Sequence, residues 1–167
     1  IDWRPDGKVR FLDQSRLPQE EAWIETTDYG EIAEAIRRLQ LRGAPLIGVA
    51  AAYGLALAAR SADDKQGWRA QVQQAADVLL ATRPTAVNLS WAVQRMLRVL
   101  GSAGDIDDAR QRLVAEARRI HEEDIAANQR IGRHGADLLE AGVSVLTHCN
   151  AGSLATGGYG TALGVVR

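Results

Sequence analysis

The apolar positions of the chain change period several times, and each change marks an expected element. Residues 8–12 (KVRFL) and 22–26 (AWIET) alternate in the manner of strands, with residues 13–20 and Pro18 between them. A small antiparallel sheet near the N-terminus follows from this. At Asp28 the period becomes helical. Asp28 reads as an N-cap, and Ile32, Ala35, Ile36 and Leu39 fall on one face of a helix reaching about Leu39. Residues 44–59 then carry no charge, and Pro45 suits the first helical turn. This run is shorter than the ~20 residues a membrane span needs. It is also rich in Gly and Ala, so a core helix packed closely on its neighbours is expected.

Three further helices are expected. Residues 66–81 place Val72, Ala75, Ala76, Leu79 and Leu80 inward, and Thr82-Arg83-Pro84-Thr85 breaks the pattern. It resumes over 87–100 with Leu89, Val93, Met96, Leu97 and Leu100. Asp105 then caps a long helix reaching about Glu140, bent near Gly132 or Gly135, and Gly142 stops it. Residues 143–146 (VSVL) read as a buried strand, followed by a Gly-rich loop and a helix from about Thr161. The expected fold is thus α/β in class, α+β overall. A small antiparallel sheet and a bundle of five or six helices fill residues 1–141, and residues 142–167 open a Rossmann-like domain that is incomplete here.

Composition narrows the function. Of 167 residues 46% are hydrophobic and 25% charged, and the net charge is −1. Nothing here favours a nucleic acid or a membrane as partner. A single cysteine excludes an internal disulfide framework and suits a reducing, cytoplasmic setting. No signal peptide is visible at the start, and the lack of an initiating Met suggests a piece of a longer protein.

Two arginines share a local setting. Arg42 precedes Gly43-Ala44-Pro45 and Arg83 precedes Pro84, each just before a helix start. Free N–H groups, the helix dipole and a planar guanidinium together favour phosphate or carboxylate. Gly43 and Ala44 would let a ligand come close to the backbone. Capping of neighbouring helices or ordinary surface pairing would account for both arginines equally well. Cys149, the sole cysteine, lies between His148 and Asn150 after the expected strand. Polar neighbours and a nearby helix start would favour its thiolate, although free cysteines are commonly inert core residues. The glycines at 158 and 160 miss the G-x-G-x-x-G spacing by one residue. His121-Glu122-Glu123-Asp124 is not H-E-x-x-H and reads as a solvated or packing face of its helix. His134 is isolated, and the four tryptophans show no stacking pattern.

Four blocks, in order, resemble one family: LRGAPLIGVA (41–50), TRPTAVNL (82–89), IHEED (120–124) and THCNAG (147–152). Together with Asp13-Gln14 and Leu17-Pro18 they are similar to the S-methyl-5-thioribose-1-phosphate isomerases of methionine salvage. That superfamily also holds ribose-1,5-bisphosphate isomerases and regulatory subunits of a translation-initiation exchange factor. The resemblance implies a phosphorylated sugar as substrate and isomerisation of 5-methylthioribose 1-phosphate to 5-methylthioribulose 1-phosphate. It implies substrate binding by Arg42, Gly43, Ala44 and Arg83, catalysis by Cys149, and neither cofactor nor metal. It further implies a homodimer, and a C-terminal half whose catalytic Asp completes the site. These 167 residues alone are therefore expected to be inactive, and residues 143–146 to lack parallel neighbours.

Overall fold

The computed structural model describes residues 1–63 and 67–167. Three short strands form one antiparallel sheet in the order β1 (Asp2–Trp3), β2 (Val9–Leu12) and β3 (Trp23–Thr26). The expected hairpin is present, with Phe11 opposite Ile24 and Val9 opposite Thr26. Its alternation turns Val9 and Phe11 into the core. β1 lay outside the sequence expectation, because two residues are too few to show a period.

Six helices follow: α1 (Tyr29–Arg37), α2 (Ala44–Ser61), α3 (Trp68–Leu80), α4 (Val87–Gly101), α5 (Ile106–Ala136) and α6 (Ala162–Val166). Asp28 caps α1 through Gly30 N–H, and Asp105 caps α5 through Asp108 N–H. The expected start of α3 at Gln66 lies outside the described residues. Leu39 does not face inward as expected. It sits past the end of α1 with φ +60° and is exposed.

α2 is the centre of the molecule. All residues from Leu46 to Ala59 are buried, because α1, α3, α4 and α5 pack around it. By length and composition alone α2 could cross a membrane, yet 78% of it is buried inside the fold. Its glycines set how closely neighbours approach. A Cβ at Gly48 would stand 2.9 Å from the carbonyl oxygen of Asn88, so the first turns of α2 and α4 lie in direct contact. On the outer side of this pair Arg95 of α4 forms ion pairs with Glu116 and Glu123 of α5, the latter at 2.5 Å, and faces the Trp91 ring at 5.4 Å. Arg95 holds the Glu123 carboxyl below the usual carboxylate range.

In the last thirty residues the helix expected from about Thr161 is present as α6, but the end of α5 and the expected strand differ. α5 ends at Ala136, and no strand forms at residues 143–146. Val143, Val145 and Leu146 are exposed. A strand needs a ladder partner, since isolated extended backbone leaves its N–H and C=O groups to water. No neighbouring strand adjoins this segment among the described residues. α5 runs unbroken through Gly132 and Gly135. Those glycines instead admit α6 and Tyr159: a Cβ at Gly132 would lie 2.7 Å from Tyr159, and one at Gly135 would lie 2.5 Å from Val165.

The Gly48 contact is against backbone, which cannot rotate away. Gly48→Ala should therefore lose about 1–3 kcal/mol to overpacking, reduced by up to ~1 kcal/mol of helix propensity. Gly54→Ala meets only the Leu79 and Ile32 methyls, at 3.2 Å and beyond, and should be near neutral. Thermal melts of the two variants should separate, Gly48→Ala falling about 2–4 °C per kcal/mol. Equal melting temperatures would show that α4 yields without cost.

Candidate functional site

The candidate site is built where three segments meet at the N-terminal end of α2. The first is Arg42-Gly43. Gly43 serves as the N-cap of α2 with no side-chain acceptor, so the first N–H groups of that helix are left open. α4 likewise begins at Ala86 without a side-chain cap. α2 and α4 thus start without a side-chain cap, as α3 does at Gly67, whereas α1 and α5 each have an Asp in that role.

The guanidiniums of Arg42 and Arg83 are exposed. Among the described residues neither makes a hydrogen bond or an ion pair. Capping and surface pairing, the alternative explanation of these residues, therefore do not occur. The Gly48–Asn88 contact sets the two helix starts side by side.

Gly43 does something the sequence did not suggest. Its φ is +119°, and a Cβ there would lie 2.4 Å from both Cα and O of Ala155. The missing side chain admits the Gly-rich loop of the same chain. That loop is the second segment. It includes a single 3₁₀ turn, Ser153–Ala155, and Ala151, Ala155 and Thr156 are buried within it. Thr156 Oγ1 accepts from the N–H groups of Gly158 and Gly160, and Ala151 C=O accepts from Thr161 N–H. The third segment is Asp13-Gln14, which leaves β2. Gln14 Nε2 donates to Leu154 C=O at 2.7 Å, and Gln40 Nε2 donates to the buried Asp13 at 2.6 Å.

The loop is also gripped from α5. His121 Nε2 lies 2.7 Å from Gly157 C=O, and Asp124 Oδ2 accepts from Gly157 N–H at 2.6 Å. A carbonyl can only accept, so Nε2 carries a proton, and in the neutral imidazole Nδ1 then accepts from Tyr53 OH at 2.8 Å. Burial pushes the Tyr53 phenol well above its ordinary range, which keeps it a donor. Asn128, itself buried, donates to the same Asp124 oxygen at 3.0 Å. Sequence reading gave His121 and Asp124 no more than a solvated or packing face. Their spacing of three residues places both on one helical face, and this was the available signal.

Cys149 is exposed, as are His148 and Asn150. Its φ is +68°, an uncommon left-handed value for a non-glycine residue. Its thiol makes no hydrogen bond among the described residues. The expectation that it follows a strand fails with that strand. It stands two residues before Ala151, where the loop becomes pinned. A cleft of about 630 Å³ opens beside the α2–α4 contact, lined by Pro45, Asn88, Trp91, Ile120, Asp124 and Arg130 among others. Arg42, Arg83 and Cys149 lie outside its lining.

Comparison with known proteins places these features. Residues 40–167 match the model of the initiation factor 2 subunit family. Over its full length the chain is 57% identical to the methylthioribose-1-phosphate isomerase of Geobacter metallireducens and 51% to that of Nitrosococcus oceani. It covers 49% and 48% of those proteins. The structure of 5-methylthioribose 1-phosphate isomerase from Pyrococcus horikoshii is similar over the whole chain, with TM-score 0.91 and 42% identity. That of translation initiation factor eIF-2B subunit delta from A. fulgidus gives 0.89 and 43%. The chain spans about half the length of each. With the matched region extending from Gln40 through both arginine blocks to Arg167, this chain belongs to the initiation factor 2 subunit family.

Proposed function

We propose that this chain contributes the anion-binding arginines and the reactive sulfur of an active site that isomerises 5-methylthioribose 1-phosphate to 5-methylthioribulose 1-phosphate. The observation that carries this reading is the likeness, over the whole chain, to relatives bearing that activity in their name. The unpaired guanidiniums of Arg42 and Arg83 at uncapped helix starts support it chemically. The substrate phosphate sits on C1, so the sugar cannot open to a free aldehyde, and the bond between C1 and the ring oxygen breaks in the course of the isomerisation itself. The ring oxygen gains a proton, the C2 hydrogen moves to C1, and the C2 hydroxyl loses its proton as it becomes a carbonyl. Arg42, Arg83 and the N–H groups of Gly43 and Ala44 would hold the phosphate, and Cys149 would act at the reacting carbons.

This aldose–ketose conversion needs an acid and a base at defined positions. Further residues, from the length that the relatives have and this chain does not span, would supply them. Their strands would also pair with residues 143–146 and make 142–167 the start of a Rossmann-like domain, separate from 1–141. The same reading gives a cytoplasmic homodimer that acts on a small phosphorylated sugar. It requires no cofactor, metal, nucleic acid or membrane.

A second reading, as a non-catalytic translation-factor subunit, has the A. fulgidus likeness in its favour. It assigns no work to Cys149 or to the free arginines. A ribose-1,5-bisphosphate isomerase would use the same cradle, and comparing turnover of the two sugars separates it.

In the full-length enzyme Cys149→Ser should lower kcat by about 10²-fold or more while leaving the thermal melt unchanged. Unaltered kinetics would favour the translation-factor reading. Arg42→Ala or Arg83→Ala should each weaken substrate binding by about 10–100-fold, from a lost charged hydrogen bond of roughly 1.5–3 kcal/mol. Steady-state KM measurements check this. The 167-residue chain assayed by itself should show no turnover, and activity near that of the full-length enzyme would refute the need for further residues.

A further inference from the structure

We propose that His121 and Asp124 of α5 are positioning residues for Cys149, because together they fix the loop whose near end carries it. The proposal rests on the isomerase reading and names two working residues which that reading does not include.

Gly157 has two backbone polar groups, and each is taken by a different side chain of one helical turn. His121 Nε2 donates to its carbonyl at 2.7 Å, and Asp124 Oδ2 accepts from its N–H at 2.6 Å. No side chain fits at this point. A Cβ on Gly157 would stand 2.6 Å from His121 Cδ2 and 3.0 Å from Asp124 Oδ2. Each gripping group is itself held. Buried Tyr53 fixes the imidazole through Nδ1, and its ring meets the imidazole edge-on with centroids 5.7 Å apart. Buried Asn128 fixes the carboxylate. Such outer contacts lock the orientation of the inner pair, as in other preorganised sites.

The grip reaches Cys149 through the loop's own bonds. Thr156 Oγ1 ties Gly158 and Gly160, and Ala151 C=O receives the N–H groups of Thr161 and Leu163. Residues 151–163 are thereby tied to one another by backbone and Thr156 hydrogen bonds, and Ala155 of that stretch lies against Gly43 at the start of α2. Cys149 is two residues upstream, with its left-handed φ of +68°. A displaced Gly157 shifts the anchor of that backbone and changes where the sulfur stands relative to the phosphate cradle.

The test uses the full-length enzyme with His121→Ala, His121→Gln and Asp124→Ala. Two measurements are made: steady-state kinetics (kcat and KM) with 5-methylthioribose 1-phosphate, and the rate of Cys149 alkylation by iodoacetamide, followed by peptide mass without substrate. His121→Ala should lower kcat on the order of 100-fold, change KM little, and alter the alkylation rate. His121→Gln, whose side-chain amide can donate to the Gly157 carbonyl, should recover most of both. Unchanged kcat and alkylation in folded His121→Ala would overturn the proposal. So would equal impairment of the Ala and Gln variants, the mark of a merely structural role. Should His121→Ala fail to fold, Asp124→Ala, which removes the other half of the grip, is read by the same two criteria. If the unmodified enzyme does not turn over this sugar, the isomerase reading fails. The alkylation rates then still decide whether the grip controls the thiol.

Discussion

The structure depends on burying one helix on every side. From Leu46 to Ala59, α2 offers no polar side chain except the Tyr53 hydroxyl, so water can face none of its flanks without loss of hydrophobic free energy. Four helices are needed to cover it. Its small residues let them come close enough to exclude voids. The Gly48–Asn88 contact is the sharpest instance, and it sets where α4 begins relative to α2. The placement of two arginine-bearing helix starts at one end of the bundle is thus a by-product of core packing. The relative placement of these two helix starts therefore shares the stability of the core.

The Gly-rich loop is attached by a different kind of force. It buries only a few small side chains and is held by directed hydrogen bonds: Gln14 and His121 donate to its carbonyls, and Asp124 accepts from the Gly157 N–H. Such bonds fix position more than they add stability, since each replaces a bond to water. The division suits a segment whose backbone must be placed precisely. The bulk of the domain supplies stability through apolar contact, and the loop near the thiol takes its shape from polar contacts that specify angle and distance.

A single fold serves both an isomerase and a translation initiation factor subunit, as the two solved structures of nearly equal likeness show. Shape therefore says little about which activity is present. What distinguishes the readings is local chemistry. Free arginines beside uncapped helix starts and an exposed thiol suit a small phosphorylated ligand. A surface that works through protein contacts would not require them.

Much of the architecture could be read directly from the chain. Alternation gave β2 and β3, helical periodicity gave α1, α3, α4 and most of α5, and the uncharged stretch gave α2. These patterns are legible because each reflects one buried face within a contiguous segment. Arg42, Gly43 and Arg83 were recognisable as helix-start residues for the same local reason. Residues 143–146 form no strand here because an apolar run becomes a strand only when a partner pairs with it. Nor did local pattern reveal that Gly43 admits Ala155 or that His121 and Asp124 hold Gly157. Those contacts join residues more than thirty positions apart, and only the packing of α5 and the loop against the core decides which distant groups meet.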